Sequence, residues 1–538
     1  MKKLVALLLV LSMLVVALAA CGGTEEPTTA PAEPTTAPEE PTAAAEEPSA
    51  PTEVVVTIGA DPADLSPFTG MNLGRIAVLK TIYEYLLEAD SMGAEAVPML
   101  AKSVTKVDDL TYDVTLFENI MDSAGNHITA ADVAWSYTQA IEGGQMRPLG
   151  AVASVTQTGD YTARFVLQAA PGVGDVDKIL TEAPIISQAA YEASPDKMAT
   201  MPVTTGPYVL TEFVPGSSLT FEKRDDYWQT DDSQRTMFSQ ANVDKITFQV
   251  VTEPAQNAIA LETGTADISA AVSGDDIARF EDNPDYTVFQ FKDNLTWMLA
   301  FNGTEGGPFA DNKELRQAVA YAIDTTAMCQ AVGSCAPAHT IGNSNFGGYQ
   351  EKWDSEPYYE FDLAKAKELF AASGAEEGME VTLLVSNSTN DGLVAQIVQA
   401  SLAELGITVN IDAEETSVYN QAMYDPTAFD IALVAAAGGD FAISPWLLEY
   451  DQNRNNGTTG QFFKDDELQS LLMAASSLEG YTPENVDAFN QYQKEQVYAY
   501  GMYSWINNVV AVKGITDIVR DTRGQIIPGA CGYAADYE

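Results

Sequence analysis

Residues 54–538, a stretch of about 485 positions, carry apolar patterning from one end to the other. That length exceeds what one hydrophobic core supports, so the chain must fold as two or more lobes. The two halves are patterned differently. In the first, residues 53–59 are rich in β-branched side chains and run into Asp61 and Pro62, which predicts a buried strand entering a loop. Ile76, Leu79, Tyr83 and Leu86 recur at helical spacing. Residues 111–117 alternate, with Tyr112, Val114 and Leu116 on one side, and residues 162–167 alternate likewise. Thr129, with Asp132 three positions on, predicts a helix N-cap. Antiparallel strands and single helices of this kind make an α+β lobe.

The second half predicts an α/β lobe. Leu315, Val319 and Ile323 share a helix face, Asp362 is a predicted N-cap, and Gly374 marks a helix end. Residues 381–385 form an apolar strand, Leu393, Ile397 and Leu402 a helix stopping at Gly406, and residues 407–411 a second strand. This is a βαβ unit, because parallel strands need such a crossover. Residues 430–435 add a third strand, with Gly438, Gly439 and Asp440 at its carboxyl end. Open α/β sheets bind ligands at such ends, so Asp440 is the candidate anchor. Phe441 and Trp446 are candidate rings for an apolar ligand face, whereas Trp297, Tyr349 and Trp353 are assigned to packing.

The N-terminus carries Lys2 and Lys3, an uncharged apolar run over residues 4–16, and Leu18-Ala19-Ala20 before Cys21. These are the parts of an export signal, and the run is short for a membrane span. The segment resembles the lipobox of bacterial lipoproteins, which implies cleavage before Cys21 and lipidation of its sulfur, a stable anchor when two or more chains are attached. Residues 24–53 are almost wholly Pro, Thr, Ala and Glu and cannot bury a core. As an extended tether they would reach ~90 Å at ~3.1 Å per residue. The folded part is then expected outside the cytoplasm, on the outer face of the cell membrane or in a periplasm.

With 27 basic and 77 acidic side chains, a formal charge of −50, nucleic acid is excluded as a partner, since phosphate binding needs clustered Lys and Arg. Among the four cysteines, Cys329 and Cys335 are the first choice for a disulfide, leaving Cys531 free, although other pairings stay open. Two histidines and this cysteine spacing fit no zinc pattern. No P-loop, nucleophile elbow or dinucleotide fingerprint is present, and no cofactor is expected. Asp451, Asn453, Asn455 and Gly457 depart from a calcium loop, with Phe462 at the twelfth position; they read as a turn-rich loop. An enzyme would have to work with carboxylates alone, as a glycoside hydrolase does.

Several segments together resemble a family. Asp64-Leu65-Ser66-Pro67, Ile82-Tyr83-Glu84-Tyr85-Leu86, Pro98-Met99-Leu100-Ala101, Thr129-Ala130-Ala131-Asp132-Val133, Thr205-Gly206-Pro207-Tyr208, Tyr227-Trp228 and Leu315-Arg316-Gln317-Ala318 occur in the order found in extracellular solute-binding proteins of the peptide/nickel class, the receptors of ABC importers. The resemblance implies an α/β, two-lobed periplasmic-binding-protein-like fold with an additional inserted α+β domain and a ligand cleft between lobes. It implies the division 1–20 signal, 21–53 lipidated tether, 54–94 first lobe, 95–204 inserted domain, 205–290 first lobe again, 291–500 second lobe, and 501–538 return to the first. It implies a non-enzymatic monomer that takes a peptide or similar small solute and meets a permease and its ATPase subunits. In peptide-binding members an acidic group after the third strand of the second lobe holds the ligand amine, and Asp440 is nearest to it. The family often has Trp before this Asp and Asp-Pro after it; here Ala and Gly precede it and Ser444-Pro445 follow. Asn302 and Ser66 are expected to offer hydrogen bonds from the first-lobe side or near the hinge. A solute sensor signalling to a membrane kinase would share all these features.

Overall fold

The computed structural model describes residues 52–69, 73–89, 96–356, 358–436, 441–451, 463–521, 523–535 and 537. The export signal, Cys21, the tether, Gly438, Gly439, Asp440 and most of the turn-rich loop after Asp451 lie outside them.

Chain order places β1 at Glu53–Ile58, then a short antiparallel ribbon of β2 (Leu87–Ala89) and β3 (Ala96–Pro98). β4 (Ala101–Lys106), β5 (Thr111–Leu116), β6 (Val152–Gly159) and β7 (Thr162–Leu167) form a separate antiparallel sheet, ordered β4-β5-β7-β6. Next come β8 (Tyr208–Val214), β9 (Ser218–Lys223), β10 (Lys245–Val250), β11 (Ile268–Ser269) and β12 (Tyr286–Lys292). β13 (Thr296–Phe301), β14 (Cys335–Pro337), β15 (Glu380–Ser386), β16 (Thr408–Glu414), β17 (Ile431–Ala436) and β18 (Ala499–Val512) follow, and β19 (Ile515–Asp517) pairs with β20 (Gly532–Tyr533). The main sheet runs β16-β15-β17-β13-β18-β11-β1-β10-β9-β8, with β12 and β14 also on β18.

β18 joins the two halves. Its first residues pair with β13, from Ala300↔Ala499 to Trp297↔Tyr503. Its middle pairs with β14 at Cys335↔Trp505, and its end with β12, from Lys292↔Ile506 to Tyr286↔Val512. The cores divide at the same place. One holds Val56, Tyr83, Phe165, Phe248 and Val509; the other holds Met298, Leu383, Val434, Trp446 and Tyr503. These are the two lobes, and β18 passes unbroken through position 501 while the core changes between Tyr503 and Val509.

Local rules account for the elements. In β5, Tyr112, Val114 and Leu116 are buried and their neighbours half-buried, the period-2 pattern of a one-sided sheet. The helix Ala130–Gly143 covers that sheet, its start held by the Asp132 carboxylate, which accepts from the Thr129 N–H and hydroxyl, each at 2.9 Å. The core of this small sheet is continuous with that of the first lobe. In the second lobe β15 is parallel to β16 at Val381↔Val409 and to β17 at Leu383↔Ile431, with the helix Thr389–Ala403 as crossover. Leu383, Leu384 and Val385 are buried, as expected of a strand covered on both faces. Asp362 caps the helix Leu363–Ala372 by accepting from the Lys365 N–H at 2.9 Å.

Glu84 ties the first lobe together. It is 1% exposed, and its carboxylate accepts from the Tyr227 hydroxyl at 2.5 Å and the Trp228 indole N–H at 2.8 Å. Burial raises its pKa from 4.5 to about 7, against the lowering effect of these hydrogen bonds. Between those values the folded chain holds a proton that the unfolded chain has lost. The stability from this group is therefore full below about pH 4.5 and lost as pH rises through about 7. Denaturant titrations should show a loss of up to about 3 kcal/mol between pH 4.5 and 8 from this source, and Glu84→Gln should remove that slope.

Candidate functional site

Strand direction fixes where a ligand can meet both lobes. In the first lobe β1 is parallel to β10 and β11, and β11 ends at Ser269, opposite Val510 of the antiparallel β18. All three strands therefore run toward the crossover. In the second lobe β17 ends at Ala436, opposite Thr296, the first β13 residue after the crossover, and β15 runs beside it. The carboxyl ends of both sets of parallel strands thus converge on one line, the position where open α/β sheets bind ligands.

Each lobe has a cavity there. The first, ≈ 360 Å³, is lined by Ile58, Gly59, Ala60, Ala270, Gln525 and Ile526, among others. The second, ≈ 400 Å³, is lined by Trp297, Ser386, Asp391, Tyr419, Met423, Tyr424 and Ala435, among others. Trp297 stacks on Tyr503 across the strand pair, with ring planes 3° apart and centroids at 6.1 Å. The Trp297 indole N–H and the Tyr503 hydroxyl are buried without a hydrogen-bond partner among the described residues. Burial raises the Tyr503 pKa, so it stays a neutral phenol. Asp391, at the third position of the helix Thr389–Ala403, is 5% exposed and accepts from the Ser386 hydroxyl. Tyr419 donates to the Leu433 carbonyl at 2.8 Å, which fixes its ring. A larger cavity, ≈ 760 Å³, is lined by the helices Lys313–Ala322, Leu363–Ala372 and Pro483–Gln496. The last of these leads into the start of β18, the end away from the crossover.

Side-chain amides hold the crossover. Asn343 donates to the Asp293 carbonyl at 2.7 Å and Asn345 to the Lys292 carbonyl at 3.0 Å, while the Asp293 N–H donates to Trp505 at 2.8 Å. Arg520 lies over the Phe291 ring at 3.8 Å. A second contact links the halves: the Val173 N–H donates to the Ser476 carbonyl at 3.1 Å, and Gly172 forms a β-bridge with Ser477. Gly174 has φ +71°, and a Cβ there would lie 2.4 Å from the Phe441 ring.

Residues 95–458, more than half of the chain, match the model of bacterial extracellular solute-binding proteins, family 5 Middle. The chain belongs to this family. Family 5 solute-binding proteins bind and are not enzymes. The glutathione-binding protein GsiB of Escherichia coli O1:K1 / APEC is 27% identical to this family 5 chain over 369 residues, 67% of the chain and 69% of GsiB. HbpA2 from Haemophilus parasuis superposes with a TM-score of 0.79 at 20% identity, covering 89% of this chain and 99% of that one. AppA of Bacillus subtilis, an oligopeptide-binding protein in complex with a nonapeptide, gives 0.64 at 18%, covering 90% and 100%.

Within this family 5 fold the sequence-predicted residues do not all meet. Asp440 and Cys21 lie outside the described residues. Trp446, expected on a ligand, is fully buried between Trp353 and Phe489 on the inner face of the helix Ile443–Tyr450. The Phe441 ring packs against Tyr481 and under Gly174. Asn302 sits in the second lobe, where its amide closes a loop by donating to the Pro426 and Phe429 carbonyls at 2.8 and 2.7 Å. Ser66 has its N–H on Asp64 at 2.9 Å and its carbonyl accepting from Arg75 at 2.6 Å. Cys329 and Cys335 are disulfide-linked, Cα–Cα 5.2 Å, and Cys531 is a buried thiol whose pKa burial pushes up to about 12. Trp297, assigned to packing, instead lines the second cavity. Ser386 and Asp391 were missed, although the strand-end rule that selected β17 applies equally to β15.

Gly174→Ala forces a side chain into a left-handed backbone and onto Phe441. Hydrogen exchange at residues 172–174 and 476–477 should rise at least tenfold, with the rest of the second lobe unchanged.

Proposed function

We propose that this chain is the binding component of an ABC importer, capturing a peptide or related small solute between its lobes and passing it to a membrane permease. The convergence of both sets of strand ends on one crossover, with a cavity on each side, carries this reading. The family supports it, as do relatives that bind glutathione or a nonapeptide. A ligand touching both cavities favours the closed arrangement, because only that arrangement contacts it on two sides. In this reading residues 95–204 are the inserted domain, residues 291–500 the second lobe, and Asp440 the acidic group that pairs with a ligand amine.

The same reading makes the chain a lipoprotein, tethered through Cys21 and residues 24–53 outside the cytoplasm and working as a monomer. Cys21→Ser should move the protein from the membrane fraction to the soluble extracellular or periplasmic fraction and abolish labelling by a radioactive fatty acid. A chain that stays membrane-bound would count against the anchor.

Binding is tested by thermal unfolding of the purified chain with mixed di- to nonapeptides. A ligand at 100 times its Kd adds about 2.7 kcal/mol of stability. Peptide pools should raise Tm, and oligosaccharides should not. A flat response to every peptide pool would overturn the peptide reading.

A further inference from the structure

We infer that the second-lobe cavity is a subsite for an organic cation, the ammonium or guanidinium group of a ligand side chain. This rests on the reading that the cleft binds a peptide-like solute and names the charge it selects. Asp391 is 5% exposed and lines the ≈ 400 Å³ cavity, yet no Lys or Arg forms an ion pair with it among the described residues. Its hydrogen bond from the Ser386 hydroxyl and its place in the first turn of a helix hold the carboxylate without neutralising it. A buried anion of this kind is costly unless a cation meets it. The walls suit the stem and charge of such a group, because Trp297, Tyr419 and Tyr424 supply ring surface and a cation over an aromatic face is attracted by its quadrupole.

Trp297 is a fixed wall of that cavity, because its ring stacks on Tyr503 with the planes 3° apart. A metal ion is the poorer fit: among the described residues no group of three His, Cys, Asp or Glu could hold one. The formal charge of −50 also raises the local concentration of cations over anions.

The test is isothermal titration of the full chain with tripeptides carrying arginine at position 1, 2 or 3, each paired with its neutral citrulline counterpart. At one position or more, the arginine peptide should bind at least tenfold tighter, and Asp391→Asn should bring that ratio to within twofold of one. The ratio is read instead of the affinity because a merely structural Asp391 would weaken both peptides alike. Should Asp391→Asn not fold, Trp297→Leu carries the test and should lower the ratio at least threefold. Equal binding of both peptides at every position overturns the inference, as does a ratio that survives Asp391→Asn. If no tripeptide binds, the peptide reading falls, and agmatine and spermidine decide the subsite: Asp391-dependent binding of either upholds it, and no binding overturns it.

Discussion

The hydrogen-bond ladder of β18 is the constraint on which the molecule depends. One strand of fourteen residues completes the sheet of the second lobe through β13 and that of the first through β12 and β11. Strand pairing fixes direction as well as distance, so a single ladder sets how both lobes are oriented. The parallel strands on either side then have no choice about which end faces the crossover. The cleft follows from this shared strand and does not need to be specified separately by the residues that line it.

The crossover has two kinds of polar support. Asn343 and Asn345 satisfy backbone carbonyls that the sheet leaves unpaired where β12 gives way to β13. Arg520 covers Phe291 from the first lobe. Away from it, the loop at Gly172 and Gly174 touches the second lobe at Ser477 and Phe441, so the chain just after the small four-stranded sheet also bears on both halves. The second of these contacts involves one backbone hydrogen bond, a β-bridge and a ring face. A contact of this size adds little to global stability.

The scaffold was legible in the sequence because its signals are local. The Thr129 and Asp362 caps, the alternation in β5 and the crossover between β15 and β16 each depend on residues a few positions apart. The site was only partly legible because its residues come together from four separated segments, at 297, 386–391, 416–424 and 434–435. Trp446 shows the difficulty: its position near the glycines after β17 suggested a cleft ring, but Ile443 and Tyr450 share its helix face and carry it into the core. Asn302 shows another, since a polar side chain at a strand end serves the loop as readily as a ligand. Asp391 resembled an ordinary first-turn acid, and only its burial beside Trp297 sets it apart.

The late position of β18 bears on how the chain acquires its structure. Residues 499–512 leave the ribosome after every other strand of the large sheet, so β12 and β13 wait with open edges until the chain is nearly finished. Neither lobe can close its sheet early, and truncation before residue 499 leaves two incomplete sheets instead of one intact half. Such a polypeptide completes its large sheet only when its synthesis is almost finished.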